Sequence, residues 1–86
     1  MLAPNPASNL VTIEFSLPRE EEASVGIYDA RGRLVVEILD DILDAGRHTI
    51  MWTRRNSRGL EVAPGVYFAR LATPSQTVTK KVLIVR

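Results

Sequence analysis

Apolar and polar residues alternate with a period of two along nearly the whole chain. In residues 10–17, Val11, Ile13, Phe15 and Leu17 fall on one side and Thr12, Glu14 and Ser16 on the other. That is the pattern of a strand with one buried face. Pro18 ends the run, and Arg19-Glu20-Glu21-Glu22 reads as a solvated turn. Residues 23–28 follow with Val25 and Ile27 inward and close at Asp29-Ala30-Arg31-Gly32. This is a hairpin signal: aspartate suits the first turn position and glycine the residue at positive φ. Residues 33–39 are apolar on both parities, so a bulge or burial on both sides is expected. Residues 40–46 read as a second long connection, followed by strands at 47–53, 66–71 and 78–85 and a short bridging strand at 60–62. About seven short strands, with turn chemistry every ~8–12 residues, predict an antiparallel β-sandwich. Residues 37–43 are the one place for a helix, and their β-branched, Asp-rich content argues against it.

The stretch around Trp52 sharpens this expectation. A strand ends at Trp52, a polar loop runs Arg54-Arg55-Asn56-Ser57-Arg58-Gly59, and Pro64-Gly65-Val66-Tyr67-Phe68 opens the next strand. Such an order carries a chain from one sheet to the other while burying its largest side chains. Phe15, Ile27, Ile50, Trp52, Tyr67 and Leu71 are therefore expected in the core. Pro4-Asn5-Pro6 is extended, because each proline restricts the residue before it. Residues 1–9 are read as an extended linker and residues 10–86 as one sandwich domain. Met1-Leu2 reads as an added start, so the domain is expected to come from a longer protein.

Composition narrows the function. The 86 residues make one domain, shorter than the ~100 residues of an immunoglobulin-like sandwich. With no cysteine, neither a disulfide nor a Cys-based zinc site is available. The longest apolar run, Val82-Leu83-Ile84-Val85, is far short of the ~20 residues that span a bilayer. Met1-Leu2-Ala3-Pro4 has no signal-peptide character. Net charge is only +1, yet residues 1–45 hold nine acids and three bases, and residues 46–86 hold eight bases and one acid. Either the strands of the two halves interleave and the charges mix, or the surface is bipolar with a basic face for an anionic partner.

Catalysis finds little to work with. His48, the single histidine, shares its strand face with Ile50 and Trp52 and reads as a partly buried structural residue. Asp40, Asp41 and Asp44, and likewise Glu20-Glu21-Glu22, fall in predicted loops with no apolar pocket to raise a pKa. The Asp trio offers hard-cation ligands, but its spacing fits no EF-hand loop. Arg54, Arg55 and Arg58 beside Trp52 suggest a check for nucleic acid, but Trp52 lies on the core parity, which leaves the arginines as a solubilising turn. Five aromatics barely supply a core, so exposed platforms for sugar rings are not expected. No enzyme activity, cofactor, metal or nucleic-acid partner is expected.

Four features together resemble a known family. They are Asn5-Pro6 before the first strand; Val25-x-Ile27-Tyr28-Asp29-x-x-Gly32-Arg33; Ala45-Gly46-x-His48-x-Ile50-x-Trp52; and Gly65-Val66-Tyr67 with the terminal Lys80-Lys81-Val82-Leu83-Ile84-Val85-Arg86. In order and spacing they resemble the type A C-terminal sorting domains of the type IX secretion system. These domains are similar in turn to the immunoglobulin-like domain of the flagellar hook-capping protein. One departure is Thr53-Arg54-Arg55-Asn56, where the family commonly has Asp-Gly and a further Asp. The resemblance implies a non-catalytic domain at the C-terminus of a cargo protein, read by outer-membrane export machinery, with the cargo secreted or held at the surface of a Gram-negative-type bacterium. Surface lipopolysaccharide is a further implied partner. A last strand carrying Lys80 and Lys81 could present an edge or a basic stripe to a receptor, which would place recognition on Lys80, Lys81, Val82, Leu83, Ile84, Val85 and Arg86. The alternative is that the two lysines are edge-strand gatekeepers against aggregation. Asn5, Pro6, Asp29, Gly32, Gly46, Trp52, Gly65 and Tyr67 carry mainly structural roles. A hook-cap-like assembly module and an accessory, carbohydrate-binding domain of a secreted enzyme are the alternatives.

Overall fold

The alternation of residues 11–17 in the sequence becomes an alternation of burial. The computed structural model describes residues 3–6, by their backbone, and residues 10–85. Its strands are β1 Ala3–Pro6, β2 Val11–Leu17, β3 Glu21–Asp29, β4 Leu34–Leu43, β5 Gly46–Trp52, β6 Gly65–Ala72 and β7 Thr77–Ile84. They form an antiparallel three-stranded sheet in the order β1-β2-β5 and an antiparallel four-stranded sheet in the order β4-β3-β6-β7. The sheets enclose a core of Val11, Ile13, Phe15 and Leu17 from one side and Val25, Ile27, Ala69, Leu71, Val82 and Ile84 from the other. Trp52 and Tyr67 close one end of it.

The structure departs from the sequence reading in four places, two of them explained by strand position. Ala3–Pro6, expected as linker, is extended and is also paired along β2, from Ala3 opposite Glu14 to Pro6 opposite Val11. Residues 40–43, expected in a connection, continue β4, an edge strand on which Asp40 and Asp41 meet water at little cost. The bridging strand at 60–62 reduces to one isolated pairing of Arg55 with Glu61. Ile50, expected in the core, is half-buried because β5 is also an edge and has only β2 beside it.

The bulge expected for residues 33–39 is present. The β3–β4 register shifts between Val25 and Gly26 and again between Ile27 and Tyr28, which leaves Ile38 and Val35 as extra residues on β4. Each shift turns two successive apolar residues toward the core, and Val35, Val36, Ile38 and Leu39 all pack partly against it.

The registers place the turns at 18–20, 44–45 and 73–76 at one end of the sandwich and those at 30–33 and 53–64 at the other. The longest dimension is 37 Å. Strands of the two chain halves do interleave, as β2 with β5 and β3 with β6. The turns, however, sort the charges. The first end gathers Glu20, Glu21, Glu22, Asp40, Asp41 and Asp44 against Arg19 and Arg47, and the second gathers five arginines against Asp29 and Glu61.

Candidate functional site

The arginine-rich end is built from two turns with the same construction. In the first, the Asp29 N–H donates to the Arg33 carbonyl (2.9 Å) and the Gly32 N–H to the Asp29 carbonyl (3.0 Å). Asp29 Oδ1 accepts from the backbone N–H groups of Arg31 (2.9 Å) and Arg33 (3.0 Å). In the second, the Asn56 N–H donates to the Leu60 carbonyl (2.8 Å) and the Gly59 N–H to the Asn56 carbonyl (2.9 Å). Asn56 Oδ1 accepts from the N–H groups of Arg58 (2.9 Å) and Leu60 (3.0 Å). Each turn then needs a residue at positive φ, supplied by Gly32 (83°) and Gly59 (79°). The turns are neighbours: the Ser57 N–H donates to the Val35 carbonyl at 3.2 Å, and Arg33, Leu34, Ser57, Arg58 and Leu60 line one groove.

Charge at this end is arranged unevenly. Asp29 Oδ2 lies 3.3 Å from Arg33 Nε. The amide of Arg33, then that of Arg31 and the Arg33 guanidinium, hold the Asp29 carboxyl below the usual carboxylate range, against a smaller opposing effect of burial. Arg54, expected in a solubilising turn, is instead 8% exposed. It sits at φ 64°, unusual for a residue with a side chain, with Nη2 3.8 Å from Glu61 Oε1. Arg55 donates from Nη1 to the Gly59 carbonyl at 2.9 Å. The side chains of Arg31 and Arg58 make no ion pair among the described residues.

Behind the groove, Trp52 is 2% exposed and donates from Nε1 to the Arg55 carbonyl at 2.9 Å. The Tyr67 hydroxyl donates to the Ala63 carbonyl at 2.6 Å, a link of the kind that pins sandwich corners. Burial, with the nearby Asp29 charge, pushes the Tyr67 hydroxyl up, while Arg54 opposes. With both rings buried, neither Trp52 nor Tyr67 offers a platform to a sugar.

The other sequence-assigned residues fall in three groups. Gly46 opens β5 opposite Leu17, and Gly65 opens β6 opposite Ile84. Asn5 and Pro6 lie in β1, paired with Thr12 and Val11. On β7, Val82 and Ile84 are buried while Lys80, Lys81 and Leu83 are exposed, with Val85 exposed just beyond; Arg86 lies outside the described residues. His48 stacks on Phe15 with ring centroids 5.4 Å apart, and its Nε2 is 2.7 Å from the Asp44 carbonyl oxygen. Asp40 and Asp41 are successive strand residues and point to opposite faces. Among the described residues, no three His, Cys, Asp or Glu side chains gather as metal ligands.

Sequence reading missed the shared construction of the Asp29 and Asn56 turns and the burial of Arg54. The first had a signal: Asp29-Ala30-Arg31-Gly32 and Asn56-Ser57-Arg58-Gly59 share one pattern, an Asp or Asn, a small residue, arginine and glycine. The second had none.

Two antiparallel sheets of this topology, with one corner pinned by Tyr67, define an immunoglobulin-like β-sandwich. Residues 1–85 match the secretion system C-terminal sorting domain, and the chain belongs to that family. These are the type IX sorting domains that its motifs resemble. They direct secretion, working with the export machinery on a cargo joined at their N-terminus, and their role is non-catalytic. Proteins carrying them are secreted or attached at the cell surface.

Solved structures give the same fold. FLGD from P. aeruginosa superposes with a TM-score of 0.73 at 23% identity, over 95% of this chain and 67% of that one. Dimeric latent PorU from Porphyromonas gingivalis gives 0.73 at 24% identity, over 99% of this chain and 9% of that one. PorZ, an essential bacterial surface component of the type IX secretion system of the same organism, gives 0.65 at 24% identity, over 100% of this chain and 11% of that one. This chain thus spans a small part of the two Porphyromonas proteins. No curated protein sequence matches it significantly.

Proposed function

We propose that this domain is a non-catalytic export label, with the whole sandwich from β1 to β7 as the sorting unit, whose recognition surface includes the exposed side of β7. Family membership over residues 1–85 carries the reading. The position of β7 supports its second half. β7 pairs with β6 on one side and hydrogen-bonds to no described strand on the other, where β1 packs beside part of it; the unpaired remainder of that edge is a surface a receptor strand can extend. Lys80, Lys81, Leu83 and Val85 are the side chains available to a receptor, while Val82 and Ile84 hold the strand in the core. The domain itself carries no enzyme activity in this reading; any chemistry belongs to the cargo. Attachment to lipopolysaccharide has no support in this geometry and forms no part of the proposal.

The test fuses the domain to the C-terminus of a reporter in a bacterium that has the pathway and measures the reporter outside the cell. Deleting residues 82–86 would remove part of a strand and confuse folding with signalling. Charge reversal, K80E with K81E, is cleaner, because surface substitutions change stability by only about 0.5 kcal/mol. A reporter left in the periplasm by the intact domain defeats the export reading. Equal export by the folded reversed variant defeats the role of β7 alone.

A further inference from the structure

We infer that the twin-turn end is a second interaction surface, a groove that takes an acidic, leucine-bearing segment of a protein partner. The observation behind it is the shared construction of the two turns. Each presents an arginine two residues after its Asp or Asn, Arg31 in one and Arg58 in the other, with backbone amides fixed by side-chain oxygens. Turns locked in this way fix the backbone that carries the arginines, so binding orders their side chains but not the loops, which lowers the entropy lost.

Electrostatics set the sign of the ligand. The two acids of this end are engaged, Asp29 by its own turn and Arg33, Glu61 by Arg54. Arg31 and Arg58 have no such partner among the described residues and lie at the end opposite the acidic turns, Arg58 on the wall of the groove and Arg31 in the adjoining hollow beside Pro64 and Val66. All five cations here are arginines, whose planar guanidinium suits carboxylate in two-point contacts. A charge separation along the 37 Å axis steers an acidic segment to this end and away from the other.

Apolar lining selects a polypeptide among the anions. Leu34 and Leu60 are 57% and 59% exposed, and both line the groove that holds Arg33 and Arg58. A segment with leucine or a similar residue between its carboxylates covers both kinds of surface at once. A nucleic-acid backbone or an anionic bilayer brings charge without apolar side chains at this spacing.

The inference holds or falls apart from the export reading, since the purified chain binds a peptide whether or not it exports a cargo. The probe is a fluorescein-labelled peptide of Glu and Asp with leucine at every third position, followed by anisotropy at low and high salt. The unaltered chain binds it, and R31E with R58E weakens binding by about tenfold or more at low salt. K80E with K81E, a pair that lies away from this end, weakens binding less than R31E with R58E, and the two pairs differ most at high salt, where long-range charge is screened. Replacing the peptide acids by glutamine abolishes binding, and replacing its leucines by serine weakens it. Trp52 fluorescence confirms folding, with R31Q and R58Q as a milder pair should the reversal unfold the chain. No binding of the acidic peptide, undiminished binding by the folded double variant, indifference to the leucines, or preference for phosphatidylglycerol vesicles would each overturn the assignment.

Discussion

Trp52 and Tyr67 meet edge to face, with ring centroids 5.7 Å apart and planes inclined at 66°. Each returns its polar atom to the loop that separates them in sequence, Trp52 to Arg55 and Tyr67 to Ala63. The pair therefore fills the end of the core and also pins both ends of the loop that carries the Asn56 turn. Packing and the basic surface are linked through these two rings.

The two residues should differ sharply in what their loss costs. Trp52→Ala removes the largest buried side chain and leaves a cavity, which costs about 3–5 kcal/mol. Against a total stability of roughly 5–15 kcal/mol for a natural domain, that brings so small a chain close to unfolding. Tyr67→Phe keeps the ring and removes one hydrogen bond, which costs about 1 kcal/mol. Urea denaturation of both variants checks the order. Equal costs would mean that the Tyr67 hydroxyl, not the packing, holds this end together.

Gly32→Ala and Gly59→Ala should cost similar amounts, because the turns are the same. Nothing lies within 4 Å of an added Cβ at either position. The expense is therefore the left-handed backbone alone, about 1–2 kcal/mol for each. Thermal unfolding of the two single variants reads this out. A negligible effect at one of them would show that its turn adapts without the hydrogen bonds described above.

Asp29 gives stability a pH dependence that Asn56 lacks. The folded carboxyl is held below its unfolded value of about 3.9. The unfolded chain therefore takes up the proton first as pH falls. The contribution of Asp29 is complete above that value and is lost as pH drops through the lower, folded one. Asp29→Asn keeps an oxygen to accept the two amides, as Asn56 does, and removes the titration. Unfolding midpoints measured from pH 6 to pH 2 should fall less steeply for the variant at the acid end. An unchanged slope would place the acid sensitivity elsewhere.

How much of this was legible depended on whether the signal was local. β2 was open to reading because its four inward residues, Val11 to Leu17, alternate without a break and face a full sheet. Trp52 and Tyr67 followed from their turn context. Ile50 shares the parity of Trp52, but its half exposure is set by β5 lying at an edge, and strand order leaves no mark on local periodicity. Asp40 and Asp41 looked like a loop because two successive acids break an apolar run, yet an edge strand tolerates them. Charge segregation was visible as a difference between chain halves, but its geometry was not. The halves interleave in the sheets, and the turns separate the charges by end. Arg54 gave no warning, because a left-handed backbone at a residue with a side chain is imposed by the loop around it.

Lys80 is the residue on which edge protection and recognition can be told apart. It lies on the inward parity of β7, opposite the fully buried Ala69 and between Val78 and Val82 in the inward row. A charge on that row, in an edge strand, interrupts what would otherwise be an apolar template for a second chain. Lys80→Val completes the row. The variant should fold with stability equal to the parent or somewhat above it, and should self-associate as concentration rises. Sedimentation velocity and light scattering over a concentration series check this, beside thermal unfolding to confirm the fold. A Lys80→Val chain that stays monomeric would remove the protective role. Lys80→Glu separates the two roles, since protection needs a charge of either sign and recognition by an acidic receptor needs a positive one. The glutamate variant should therefore remain monomeric, and its fused reporter should be exported less. Full export by a monomeric Lys80→Glu domain would leave Lys80 with protection as its sole role.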